Sequence, residues 1–224
     1  MGNAKGNRSH AVISRRHEHK LSLDDFPTPP WATRALCDWL QDRGYQTQNQ
    51  CVWEPACGRG DMVKVLSEYF HTACGSDIHD YGRFYDVKDF MSTSDLDWKP
   101  DFIITNPPFN RALEFCLRAR KLARSGVAVL VRTAFLESGE RWRALFDVDP
   151  PSHVIQFCER VVMHKGKLSR KGSTATAYCW VVWLRPRTRA YRPATHLEWF
   201  APGTRKKLEK STDYDFYEKN EENA

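Results

Sequence analysis

Little in this chain is extreme, and what it lacks narrows the field. Its longest apolar runs, Gly126 to Val131 and Tyr178 to Leu184, fall well short of the roughly 20 residues a membrane-spanning helix needs. Seven cysteines are an odd number, widely spaced, mostly within apolar runs and without a CxxC pair. That pattern reads as reduced core thiols of an intracellular protein rather than as a disulfide framework or a zinc ribbon. His10, His17 and His19 lie in a basic, polar stretch with no complementary ligand set, so no metal site is expected. There is no internal repeat, no low-complexity tract outside the ends and no secretory signal pattern at the start. A soluble cytoplasmic protein without membrane attachment is expected.

Charge is present but unevenly spread. A net charge of +6 over 224 residues is only a mild lean toward anionic partners. Between Arg160 and Lys210, however, 13 Lys and Arg stand against Glu198 and Glu209, which leaves the remainder of the chain net acidic. The length suits one α/β domain with a substantial core. We expect that domain over residues 23–200, after a disordered basic tail at 1–22 and before a polar tail at 201–224 whose acidic end is loosely attached.

Strand-like and helix-like runs alternate through the middle. "CVWEP" (Cys51 to Pro55) precedes "DMVKVLSEYF" (Asp61 to Phe70), where Met62, Val65, Leu66 and Tyr69 repeat at helical spacing. "TACGSDI" (Thr72 to Ile78) and "DFIIT" (Asp101 to Thr105) read as strands, "RALEFCLRARKLA" (Arg111 to Ala123) as a helix, and "GVAVLVR" (Gly126 to Arg132) as a buried strand. Strands apolar throughout, separated by helices, predict a mostly parallel sheet covered on both faces. "HVIQFC" (His153 to Cys158) and "TAYCWVVWL" (Thr176 to Leu184) have no helix between them and should close the sheet as an antiparallel hairpin.

Two strand ends carry the chemistry. In "WEPACGRGD", Glu54 and Pro55 lead into Ala56, Gly58 and Gly60, small residues at alternate positions ahead of a helix N-terminus, where a ligand can approach the backbone. The dinucleotide fingerprint would want a third glycine where Val63 stands. An acidic residue before the loop suits a ligand with a cationic or hydroxyl-rich end, and Asp77, ending the next strand in "SDI", is placed to accept both hydroxyls of a ribose. The second end is "TNPPFN": Asn106, Pro107, Pro108 and Phe109 follow a buried strand, and the two prolines stiffen the backbone where it stops. A plain Asn-Pro turn with a core phenylalanine is the alternative reading of that tetrapeptide alone.

Together, "EPACGRG", "SDI" and "NPPF" resemble the class I S-adenosylmethionine-dependent methyltransferases of the N6-adenine type, over about residues 24 to 184. "FPTPPWATRAL" (Phe26 to Leu36) resembles the cofactor-proximal segment that precedes the glycine loop in that family. The resemblance implies a Rossmann-like, doubly wound sheet of seven strands and S-adenosyl-L-methionine as cofactor. It implies cofactor contacts from Thr28, Pro29, Glu54, Pro55, Ala56, Gly58, Gly60, Asp77, Ile78 and Asn106, with Asp89 and Phe90 of "DVKDFM" flanking its adenine. Glu54 would contact the cofactor or orient the loop. The side-chain oxygen of Asn106 and the carbonyl of Pro107 would hold the target amine, Pro108 would keep them rigid, and Phe109 would stack on the target ring.

The substrate is read from charge. The same apparatus serves DNA adenine, RNA adenine and protein glutamine amides. Lys165, Lys167, Arg170 and Lys171, in "KGKLSRKGS" with flexible glycines, form a candidate phosphate-binding loop, and "RPRTRAYRP" (Arg185 to Pro193) a candidate backbone-tracking strip. We therefore expect a nucleic-acid partner, DNA ahead of RNA. No segment of about a hundred residues is left for a separate recognition domain, and small enzymes of this build resemble those carried by phages and prophages.

Overall fold

The computed structural model describes residues 24–92, 98–185 and 194–222. The expected N-terminal tail, its histidines, and the strip beyond Arg185 lie outside the described residues, apart from Arg185 itself.

One eight-stranded sheet runs in the order β3-β2-β1-β4-β5-β7-β6-β8. Its strands are β1 (Cys51–Glu54), β2 (Thr72–Asp77), β3 (Asp86–Val87), β4 (Phe102–Thr105), β5 (Gly126–Arg132), β6 (His153–Phe157), β7 (Tyr178–Leu184) and β8 (His196–Phe200). Neighbours β3 to β5 are parallel, with Val52 beside Phe102 and Ile103 beside Val127. β7 enters antiparallel between β5 and β6, so the expected hairpin forms, with Arg132 opposite Tyr178 and Val154 opposite Val181. β8, parallel to β6, is the strand beyond the expected seven. The short "HLEWF", broken by His196 and Glu198 and largely exposed, lacks the apolar continuity of the central strands, as suits a sheet edge.

Alternate side chains divide the core in two. Val52, Phe102, Ile104, Leu130, Trp180 and Val182 face α1 (Pro30–Asp42) and α2 (Asp61–Tyr69). Trp53, Ile103, Val127, Val129, Val181 and Trp183 face α3 (Ala112–Leu122) and the segment after the single turn α4 (Gly139–Arg141). This is the period of two expected of strands buried on both faces. α1 starts with proline in its first turn, where no backbone donor is needed.

The C-terminal segment is not the loose tail expected from its polarity. α5 (Thr204–Leu208) and α6 (Asp215–Glu222) dock on the domain, burying Tyr214 and Tyr217. The anchor is Arg34, buried in α1. Its guanidinium donates to Glu68 of α2 (3.0 and 2.9 Å), to both oxygens of Asp213 (2.8 Å each) and to the Leu208 carbonyl (2.9 Å). A planar fork with five donors satisfies three elements at once. Composition hides such docking because Arg34 lies far in sequence from the two tyrosines and from Asp213. Cysteines 37, 57, 116 and 179 are buried, whereas Cys158 is exposed.

Removing Arg34 strands the buried Asp213 carboxylate. Arg34→Met should lower unfolding free energy by about 3 kcal/mol, measured by urea titration; a loss below about 1 kcal/mol would contradict this anchoring.

Candidate active site

The chain winds outward from β1 in two directions, to β2 and β3 on one side and to β4 and β5 on the other. At such a switch point the loops after adjacent strands part and leave a crevice at the carboxyl ends. A cleft of about 1150 Å³ lies there, more than the ~300–1,000 Å³ typical of one small-molecule pocket. It has room for a cofactor and a second group.

Asn106 leaves β4 into this cleft. Its Nδ2 donates to the Phe26 carbonyl (3.0 Å) and the Thr28 hydroxyl (3.1 Å), with Met163 Sδ at 3.7 Å. Turned the other way, the amide would set its oxygen against the Phe26 carbonyl oxygen, so these partners fix the orientation. Asn106 Oδ1 is then buried without a partner. An orphaned acceptor costs about 1–3 kcal/mol and marks a place where a donor from outside is expected.

Glu54 supplies a second orphan. At the end of β1, its Oε1 accepts from the Thr105 hydroxyl (2.5 Å) and the Ala56 N–H (3.0 Å). Its Oε2 is buried and unpartnered. Burial pushes this carboxyl up to about 8, against the opposing hydrogen bonds of Thr105 and Ala56. A cation brought against Oε2 would restore the charged form.

The glycine loop between them is shaped by two different constraints. Gly58 and Gly60 both have positive φ, at 52° and 83°. A Cβ on Gly58 would meet nothing, so that side is open to a ligand; on Gly60 it would collide with the Tyr85 ring at 2.1 Å. Gly60 therefore has to be small to pack against Tyr85. Asp77, ending β2, accepts from Gly58 N–H (2.9 Å) and His79 N–H (3.0 Å). Burial raises its pKa, against the hydrogen bonds it accepts from the His79, Gly58 and Ile78 N–H groups. Beside it Ile78 is 59% exposed, an apolar plate at the cleft wall.

Thr28, Pro55, Ala56, Asp89, Phe90, Pro108 and Phe109 also line the cleft. Phe90 is nonetheless a core ring, packed on Trp53 and Phe115. Pro29 and Pro107, next to Thr28 and Asn106 in the chain, are buried. Phe109 is half-buried between Phe26 and Tyr178, with the Arg132 guanidinium 4.1 Å over its ring. The four basic residues of the loop 165–171 do not line the cleft, although the loop's flanks, Met163, His164 and Ser173 to Thr176, do. Arg170 is turned away: it pairs with Glu218 (3.1 Å), donates to the Ser211 carbonyl and stacks on Tyr214. These contacts dock the C-terminal segment.

Sequence reasoning missed the strap that joins these loops. Asp24 accepts from the Phe109 N–H (2.6 Å), Asp25 pairs with Arg59 of the glycine loop (2.6 Å), and the Asp25 carbonyl accepts from Gly166 N–H (2.8 Å). Two acidic residues directly before "FPTPP" were the available signal. Arg132 and Tyr178 were missed because only the antiparallel entry of β7 brings them together.

The gathered groups fit a ligand with a cationic end at Glu54, a diol at Asp77 and a flat ring at Ile78, beside an acceptor at Asn106. No protein-family model and no curated protein matches the sequence. Solved structures do resemble it. A candidate class I S-adenosylmethionine-dependent methyltransferase from Listeria monocytogenes superposes with TM-score 0.63 at 12% identity, over 85% of this chain and 70% of that one. The methyltransferase subunit of a type I restriction-modification system from Streptococcus thermophilus gives 0.56 at 12%, over 73% of this chain and 46% of its own. A candidate RNA methyltransferase from Pyrococcus horikoshii gives 0.54 at 16%, over 75% and 91%. The chain shares the Rossmann-like fold of these solved structures.

Because the folded pKa of Glu54 lies above its ordinary 4.5, its protonated form favours folding fully below about pH 4.5. That contribution is lost as pH rises toward about 8. Glu54→Gln should flatten the fall in melting temperature between pH 5 and 8, followed by circular dichroism; profiles running parallel to wild type would contradict the assignment.

Proposed function

We propose that this protein is an S-adenosylmethionine-dependent methyltransferase that methylates the N6 amine of adenine in DNA. The observation that carries the reading is the Asn106 amide, its NH₂ held by Phe26 and Thr28 and its buried Oδ1 left without a partner. An aromatic amine is the natural donor to such an oxygen: two N–H groups on a flat ring, poorly nucleophilic because the lone pair is delocalised into that ring.

When bound, S-adenosylmethionine supplies an electrophilic methyl group on a sulfonium. Glu54 would hold its cationic end, Asp77 its ribose hydroxyls, and Ile78 with Phe90 its adenine, while Gly58 leaves the backbone open to approach. On the substrate side, Asn106 Oδ1 accepts an amine N–H and favours the pyramidal nitrogen whose lone pair can attack. The strap fixes this oxygen beforehand, so little reorganisation is needed when the substrate arrives. Asn106 is no base. The amine proton becomes acidic only once the N–C bond has formed, and solvent can take it. Phe109 would stack on a base drawn out of its helix, with the Arg132 guanidinium over the ring's other face and Tyr178 nearby.

DNA is favoured by the basic C-terminal third and by the fold shared with a restriction-modification methyltransferase subunit. The shared fold of an RNA methyltransferase makes RNA the second reading. Lys165, Lys167 and Lys171 are the proposed phosphate contacts. Replacing all three by Ala should weaken DNA binding and reduce the slope of log K against log salt by about 2–3; an unchanged slope would remove the loop from the interface.

The direct test uses methyl-labelled cofactor with duplex DNA, digestion to nucleosides and chromatography. Label in N6-methyldeoxyadenosine is expected, and label confined to RNA or protein would reject the substrate. Asn106→Ala should keep S-adenosylhomocysteine binding while transfer falls about a hundredfold or more; transfer at the wild-type rate would reject the mechanism.

A further inference from the structure

The C-terminal segment reaches into the cleft wall at one point. Asp61 opens α2 directly after Gly60, lines the cleft, and is buried. Its Oδ2 accepts from the hydroxyl of Tyr217, 156 residues further along, at 2.6 Å. Tyr217 is itself buried and packs with Tyr214 and with Leu168 of the basic loop. The segment that carries it is fastened elsewhere, by Arg34 to Asp213 and by Arg170 to Glu218. One phenol thus touches the glycine loop on one side and the basic loop on the other.

A carboxylate at the first position of a helix is favoured by the free N–H groups there, but burial opposes its charged form. The Tyr217 hydroxyl offsets that cost, with Lys64, Arg59 and Arg83 as the nearby cations and the Tyr85 ring against the same loop. Without the hydroxyl, the carboxylate would turn toward the cleft or take up a proton. Either change alters the surface beside Gly58 and Arg59.

We propose that Tyr217 is a positioning residue for the methyl-donor site, acting through Asp61 to hold the first turn of α2 and the glycine loop before it. This rests on the reading of that loop as the S-adenosylmethionine site. The C-terminal segment is then part of the working enzyme and ties the cofactor loop to the basic loop 165–171.

The test is calorimetric titration of the full chain with S-adenosylhomocysteine, alongside melting temperatures. Tyr217→Phe keeps the ring that packs on Leu168 and loses only the hydroxyl. Tyr214→Phe is the control, because that hydroxyl bonds Glu209 within the same segment and does not reach Asp61. Expected is about tenfold weaker binding for Tyr217→Phe, wild-type affinity for Tyr214→Phe, and similar melting temperatures for both. At saturating cofactor, Tyr217→Phe should methylate at nearly the wild-type rate, the loss residing in the KM for cofactor. Wild-type affinity in Tyr217→Phe, or an equal loss in Tyr214→Phe, would overturn the positioning role and leave the cofactor assignment standing. Failure of the wild-type protein to bind S-adenosylhomocysteine would overturn the cofactor assignment itself, and the positioning role with it.

Discussion

The two hydrogen bonds from the Asn106 amide to Phe26 and Thr28 are the constraint on which the proposed chemistry depends. They spend the donors of one side chain on the scaffold, and so dedicate its oxygen to something outside. The cost is borne by the fold: an acceptor is buried and left unsatisfied, and Glu54 Oε2 repeats the arrangement across the same cleft. Folding alone gains nothing from two orphaned acceptors in one crevice. Recognition of a donor and of a cation gains a great deal, because both meet oxygens that need not reorganise.

The partners of Asn106 come from the segment before α1, and that segment is the meeting point of the active-site loops. Asp24 fixes the Phe109 turn, Asp25 fixes Arg59 of the glycine loop, and the Asp25 carbonyl fixes Gly166. Arg34, further along the same stretch of chain, secures α1 to α2 and to the C-terminal segment. Local stiffness from Pro107 and Pro108 is therefore only part of what aims the Asn106 oxygen. The larger part is tertiary, spread over elements distant in sequence.

This division explains what could be read from the sequence. The apolar strands, their alternation with amphipathic helices and the antiparallel β7 were legible because each element carries its own period and its own burial. The strand-end residues Glu54, Asp77 and Asn106 were legible because the topology delivers such positions to one crevice. That Gly60 must also be small for the Tyr85 side chain was not legible, because no spacing announces that contact. The pairing of Arg170 with Glu218 was not legible because a lysine- and arginine-rich loop looks alike whether its charges face solvent, phosphate or a carboxylate. The docked C-terminal segment was hidden by its polarity, as two tyrosines and one arginine partner do the work that an apolar stripe would have advertised.

The central claim concerns where one oxygen points and what it receives. A crystal structure with S-adenosylhomocysteine and adenosine 5′-monophosphate measures that directly. The account predicts the adenine amine within hydrogen-bond distance of Asn106 Oδ1, with the amide nitrogen still on Phe26 and Thr28. An amide turned away from the cleft, or an Oδ1 satisfied by a protein group while the nucleotide sits elsewhere, would contradict it.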